Sequence, residues 1–333
     1  MRIGLAFDLK DEFQPGRDIP DDAFEEYDSL DVVNSIAGGL RALGHRTVLL
    51  GGGRKFLSKI LKCKVDFVFN IAEGRGNLRS REAQAPAILE MLDIPYSGSD
   101  PQTLAITLDK PLAKQLVSAA GVTTPPWLII TSLKSLEAVS AHDFPLPAFI
   151  KPAFEGSSKG IRLTSRVVTA ARARAVTRRL LAEYNQPVLV EKYIEGDEVT
   201  VGVVGNSPPV VVGIMRVLPR KKSKNFVYSL EVKRDWRNQV DYECPARLPG
   251  ATIRRITDAA LAAYKTLGCR DFSRLDFRLT KDGTPHFLEV NPLPGLNPES
   301  GDLPIMSYKM GWTYNGLIKA IFESALARYG QNR

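Results

Sequence analysis

A chain of 333 residues is long enough for two or three units, each with its own core, and with 44% hydrophobic and 25% charged residues it reads as globular. No run approaches the roughly 20 apolar residues of a bilayer span. The opening Met1 to Phe7 meets Asp8 and Lys10 at once, so a first buried strand is expected in place of a signal peptide, with cytoplasmic residence and no membrane partner. The formal charge of +8, from 45 basic and 37 acidic residues, fits either nucleic acid or an anionic small substrate. The basic residues are dispersed, however. Their densest clusters, 172–179 on a helix-like stretch and 219–224 in a loop, lack the interleaved aromatics that stack bases. A solvated helix face and a mobile loop are expected there, and no nucleic-acid partner. Cys63, Cys244 and Cys269 lie far apart without metal-ligand spacing and read as reduced thiols.

In chain order, residues 2–7 read as a buried strand, 30–43 as an amphipathic helix stopped by Gly44, and 47–50 and 66–70 as further strands. Residues 81–92 place Ala85, Ile88, Leu89 and Leu92 on one helical face. Alternating strands and helices predict a parallel sheet, whose ligands sit at the carboxyl ends of the strands; the loops after Phe7 and Asn70 are therefore the ones to watch. The run Gly51-Gly52-Gly53 belongs to no G-x-G-x-x-G motif and reads as a turn. Around Pro125-Pro126 the strands become shorter, so a second unit is expected to begin between residues 100 and 125.

There, residues 149–152 predict a strand ending in Lys151, followed by the loop Glu155-Gly156-Ser157-Ser158-Lys159-Gly160 and a second strand at 161–163. Two glycines and two serines give backbone N–H and hydroxyl donors suited to covering a triphosphate. The lysine precedes the loop, which departs from the Walker order, and an ordinary Gly-Ser turn is the plain alternative. Residues 188–194 predict an apolar strand that turns polar, with backbone groups free for an adenine edge and Glu191 or Glu198 within reach of the exocyclic amine or the ribose. The plain alternative is that both glutamates cap a surface turn. Last comes a hairpin over 271–291 with its turn at Lys281-Asp282-Gly283. Strict alternation puts Arg274, Asp276 and Arg278 on one face with Phe287, Glu289 and Asn291, and Leu275, Phe277, Leu279, Leu288 and Val290 on the other. Two carboxylates and a carboxamide are hard oxygen ligands that suit Mg²⁺ held against phosphate. Seen alone, the same face reads equally as a solvated hairpin.

These segments in this order resemble the ATP-grasp superfamily and, within it, the D-alanine–D-alanine ligases. The resemblance spans nearly the whole chain and is carried also by Tyr96-Ser97-Gly98-Ser99, Asp109-Lys110, Glu231-Val232-Lys233, Cys244-Pro245-Ala246, Gly268-Cys269 and Pro294-Gly295. It implies an α/β (α+β overall) protein with the ATP-grasp fold: an N-terminal parallel α/β domain at 1–105, a central ATP-grasp subdomain at 106–190 and a C-terminal catalytic domain at 191–333. It implies ATP contacts from Lys110, Lys151 and Lys233, the flap serines Ser157 and Ser158, Glu191, the backbone of Lys192, Tyr193 and Ile194, and Glu198. The implied metal ligands are Asp276, Glu289 and Asn291, for two Mg²⁺ ions with Mn²⁺ an admissible substitute. Arg274, Gly295, Lys233 and Ser157 form the implied catalytic set. Glu25, with Glu26 as the alternative register, Glu73, Arg234, Arg274 and Ser300 are the implied amino-acid contacts.

The activity implied is joining two amino acids through an acyl-phosphate, with ADP and phosphate released, in a cytoplasmic homodimer serving peptidoglycan synthesis. A ligase of the same mechanism for another amino acid or peptide is the alternative, and a nucleotide-binding regulator a more distant one. Three departures touch amino-acid recognition: Glu73 stands where the family usually has a histidine, Arg234 where a lid tyrosine is usual, and the stretch 231–244 is one residue longer. Arg234 is expected to pair with Glu73 or to hold an acidic or larger substrate, in a pocket with weak affinity for D-alanine. The segment 220–238 is expected to be the lid.

Overall fold

The computed structural model describes residues 1–13, 19–221 and 226–330. β1 (Arg2–Phe7), β2 (Arg46–Gly51) and β3 (Phe67–Ile71) pair in parallel in the order β2-β1-β3. β1 and β3 are apolar on both faces because helices cover both. Helices Leu30–Ala42 and Tyr314–Arg328 pack on one side through Ile36, Leu40, Ile321 and Phe322. Helices Gly53–Ile60 and Gln84–Met91 pack on the other through Phe56, Ile60 and Leu89. The glycine run is a turn as expected, and it also opens the helix Gly53–Ile60, which the glycines hide in the sequence. A Cβ on Gly52 would lie 1.9 Å from Asp8 Oδ1, so glycine lets this turn close against the carboxylate that follows β1. Gly74 N donates to Asp8 Oδ2 at 3.0 Å, which ties the loops after β1 and β3 together where the strand order reverses.

β4 (Trp127–Ile130), β5 (Ala148–Pro152), β6 (Arg166–Val167) and β7 (Val188–Lys192) form an antiparallel sheet in the order β4-β7-β5-β6. The helix Ala170–Tyr184 covers one face through Ala173, Val176 and Leu180; of its basic cluster Arg172 and Arg178 are exposed, while Arg174 and Arg179 are half-buried and Arg174 donates to Leu136 O at 2.7 Å. The second flap strand is not at 161–163. Ile161 N closes a turn on Ser158 O (3.0 Å), Ile161 O accepts from Leu230 N (3.0 Å) and Ser165 Oγ accepts from Arg162 N (3.0 Å), so the backbone there is committed to turns. The strand forms later, at β6.

β8 (Asp197–Val204), β9 (Val210–Pro219), β10 (Val240–Glu243), β11 (Phe272–Leu279) and β12 (Pro285–Asn291) form the third sheet, in the order β10-β9-β8-β11-β12. Its inner face packs Val199, Val201, Leu275, Phe277 and Val290 on the helix Gly250–Thr266. The hairpin register corrects the expected alternation. Asp276 faces Glu289, but Phe277 faces Phe287, so Leu288 is an extra residue on β12. The bulge turns Phe287 into the core, edge-to-face with Phe277 at 5.8 Å, and puts Leu288 on the face of Asp276 and Glu289. The expected lid contains two short helices, Leu230–Arg234 and Trp236–Gln239; residues 222–225 of the expected mobile loop lie outside the described residues.

Candidate active site

Two cavities meet between the second and third sheets and the carboxyl ends of β1 and β3. The first spans about 700 Å³ and is open to solvent. β7 and the residues after it bring Glu191, Lys192, Tyr193 and Ile194 to its wall, β8 brings Glu198 and Thr200, β5 brings Lys151, and the hairpin brings Arg274, Asp276, Leu288 and Glu289. Ser158 and Lys233 close it. The second cavity, about 1530 Å³, gathers Glu25, Glu73, Ser157, Arg234, Asn291, Gly295 and Ser300. Lys233, Arg274, Tyr228 and Asp302 line both. Ser157 and Ser158 take left-handed backbone angles, φ +47° and +60°, unusual for residues with a Cβ, and their loop separates the two spaces.

The lysines sit on a buried charge relay. Lys110 and Lys114 lie one turn apart on the helix Lys110–Ala119 and point the same way. Lys114 Nζ is 2.9 Å from Glu191 Oε2 and donates to Phe287 O at 3.1 Å; Lys151 Nζ is 2.9 Å from Glu191 Oε1. Lys110 donates to Glu155 O and lies 3.5 Å from Glu289 Oε2, with Lys151 at 3.9 Å. Glu191 is pushed up by burial and pulled down harder by Lys114 and Lys151, so it stays ionised. Burial dominates at Lys114, pushed down to about 8, and holds Lys110 below its ordinary value, whereas Glu191 and Glu289 carry Lys151 above its own. Lys114 is the residue that the sequence motifs did not single out. Its signal was there: it lies four positions after Lys110, on the same helical face.

At the hairpin, Arg274 donates to Asp276 Oδ2 at 2.8 Å and reaches Asp302 Oδ2 at 3.1 Å, while Thr200 Oγ1 donates to Asp276 Oδ1 at 3.0 Å. Glu289 Oε2 is buried and accepts no hydrogen bond among the described residues. Lys110, Lys151, Arg274 and Lys233 together hold its carboxyl down to about 2 against the effect of burial. An ionised carboxylate with an open lone pair opposite Asp276, and Asn291 two residues on, is a hard-oxygen set that fits a divalent ion. No group of three or more His, Cys, Asp or Glu able to hold a metal occurs among the described residues, so phosphate and water oxygens would complete such an ion's shell. Arg278 Nη1 donates to Glu198 at 3.1 Å and its guanidinium carbon lies 4.9 Å from the centre of the Tyr193 ring, which steadies the wall beside Glu198.

Around the second cavity, Glu25 and Glu26 separate cleanly. Glu26 is buried and held by Arg81 (Nη2 to Oε2, 2.8 Å) and Lys159 (3.0 Å), whereas Glu25 accepts from Arg234 (2.9 Å) and Lys10 (3.3 Å). Arg234 also reaches Asp21 Oδ2 at 3.2 Å. The expected pairing of Arg234 with Glu73 does not form, because the helix Leu230–Arg234 carries the guanidinium to the Asp21–Glu25 turn.

A nucleotide-sized cavity walled by two antiparallel sheets, floored by lysines and an acidic hairpin, and opening into a second polar cavity defines an ATP-grasp ligase. The family model described as D-ala D-ala ligase C-terminus matches residues 116–323. A D-alanine–D-alanine ligase of Aquifex aeolicus is 32% identical over 303 residues, covering 88% of this chain and 94% of that protein. The uncharacterised protein y4sG of Sinorhizobium fredii is 30% identical over 310 residues, covering 90% and 89%. Among solved structures, the D-alanine–D-alanine ligase of Bacillus anthracis complexed with ATP superposes with a TM-score of 0.74 at 24% identity, covering 100% of both chains. The chain belongs to the D-alanine–D-alanine ligase family.

Proposed function

We propose that this chain joins two amino acids in an ATP-dependent reaction, with the nucleotide in the first cavity and both amino acids in the second. The observation that carries this reading is the shared wall: Lys233 and Arg274 line both cavities, so a phosphoryl group and a carboxylate can meet beside them. The wall at Glu191 to Ile194 and Glu198 would take the base and the ribose. Lys110, Lys151, Lys233, Ser157 and Ser158 would take the phosphates. Asp276, Glu289 and Asn291 would hold Mg²⁺, in two ions or with Mn²⁺ instead, and the metal's positive charge would offset that of the phosphates.

A carboxylate oxygen of the first amino acid attacks the γ-phosphorus, forming the acyl-phosphate C–O–P linkage as the bond to ADP breaks. Lys110 and Lys151 spread the charge on the transferred group. The amine of the second amino acid then attacks the acyl carbon. Arg274 and the Gly295 N–H receive the oxyanion of the tetrahedral intermediate, and the C–O bond to phosphate breaks to leave the peptide. Ser300 would receive the carboxylate of the second amino acid and Glu25 the amine of the first. The lid at 220–238 would keep water from the acyl-phosphate. Domains at 1–105, 106–190 and 191–333, a homodimer, cytoplasmic residence and a place in peptidoglycan synthesis complete the proposal.

The test is ADP release with Mg²⁺ across D- and L-amino acids, singly and in pairs. Asp276→Asn keeps the Arg274 and Thr200 contacts in shape but removes a charge; turnover should fall about 10²–10³-fold in a folded protein. Unchanged turnover in that variant would remove the metal assignment.

A further inference from the structure

Three carboxylates at the amino-acid cavity are left without a counter-charge. Among the described residues, the side chains of Asp28, Glu73 and Glu82 accept no hydrogen bond and join no ion pair, and all three line the cavity. Glu82 is only 4% exposed, and its Oε2 is buried and unsatisfied. Of the nearby cations, Lys233 lines the cavity over the Tyr228 ring and is assigned above to phosphate, and the others are already engaged. Arg81 and Lys159 share Glu26 and Glu155, Lys10 and Arg234 hold Glu25, and Arg274 lies between Asp276 and Asp302. Burial pushes Glu82 up to about 7, with Glu26 adding to it against the pull of Arg81, Lys110 and Lys159; burial and Asp8 push Asp28 up to about 7; and burial with Glu82, Glu26 and Asp28 raises Glu73 well above the carboxylate range. Burying carboxylates unpaired is costly, and a pocket keeps them where a ligand supplies the missing charge.

The sign of that charge is positive, and an amino acid entering this cavity can carry it on its side chain. We propose that the first amino acid carries a second cationic group, an ammonium or guanidinium on its side chain, received by Glu73 and Glu82 with Asp28 beside them. This rests on the ligase reading above and names its substrate class. It reverses the sign expected from the sequence, because Arg234, the group that was to hold an acidic substrate, is spent on Asp21 and Glu25. The rival arrangement is a protonated Glu73 donating to the carboxylate of a neutral amino acid, in the role the family gives to histidine.

Lysine and norleucine separate the two, sharing one six-carbon chain and differing in the ε-ammonium. ADP release is measured with Mg²⁺ and ATP for both enantiomers of each, with D-alanine as the second amino acid, and binding is measured by calorimetry in the presence of a non-hydrolysable ATP analogue. The expected result is a kcat/KM for one lysine enantiomer at least about tenfold above that for norleucine, since a charge-assisted contact is worth that much or more. Glu82→Gln should bring the ratio down about tenfold; Glu73→Gln, at a less buried position, gives the same reading if the first variant does not fold. Norleucine or D-alanine used as well as lysine overturns the inference and leaves the ligase standing. A lysine preference untouched by both variants overturns the assignment to these carboxylates. No ADP release with any amino acid overturns the ligase reading and this inference together.

Discussion

Glu289→Gln isolates one charge on the wall of the first cavity without changing its shape. In the folded protein Lys110, Lys151, Arg274 and Lys233 hold the Glu289 carboxyl down to about 2, from an ordinary value of 4.5. A shift of that size corresponds to about 3 kcal/mol of folding stability at neutral pH. The side chain is 21% exposed, so solvent screening trims the figure to about 2–3 kcal/mol. The folded-state value is depressed, so the contribution is fully present above pH 4.5 and fades as the pH falls toward 2. Glutamine leaves the cations facing one another without their anion, and for a chain of 333 residues the loss corresponds to a Tm lower by about 3–4 °C. Thermal unfolding of both proteins at pH 7 and pH 3.5, without nucleotide, reads this directly: the gap should shrink by about 40% at the lower pH. A variant with the parent Tm at pH 7, or a gap that does not change with pH, would refute the electrostatic account.

Two further outcomes follow from the same geometry. Lys151→Ala leaves Glu191 paired with Lys114, so the protein should stay folded while ATP binding, followed by calorimetry, weakens about 10- to 100-fold. Arg234 is 42% exposed, so Arg234→Tyr should move Tm by no more than about 1 °C, since exposed ion pairs contribute about 0–1 kcal/mol.

That the residues of the first cavity come together was legible in the sequence because they are built on local regularities. Alternation along β11 and β12 places Arg274, Asp276, Glu289 and Asn291 together, and the lysine before a Gly-Ser loop marks the flap. Glu25 and Arg234 had no such signal: they are 209 positions apart, and only the packed lid brings them within 2.9 Å. Charge alone offered several partners for Arg234, and the sequence offers no means of choosing Asp21 and Glu25 over Glu73. The unpaired state of Glu82 is equally hidden, since neighbouring Arg81 would seem to neutralise it; instead the short helix Arg81–Ala83 sends that guanidinium to Glu26 and Glu155.

The bulge at Leu288 shows how a single extra residue decides chemistry that alternation misassigns. Without it, Phe287 would stand beside Glu289 and Leu288 would fill the core, giving a bulky ring next to the proposed metal ligand and a smaller side chain against Phe277. With it, the ring packs with Phe277 in the core, and the Phe287 carbonyl accepts from Lys114 at 3.1 Å. That contact couples the bulge to the Lys114–Glu191–Lys151 relay, so the same backbone irregularity that places Leu288 in the nucleotide cavity also helps to set the position of its lysines. The hairpin therefore carries one carboxylate on each of two strands whose mutual register is fixed from the core side, by an aromatic pair and a buried cation, and not by the residues that would meet the ligand.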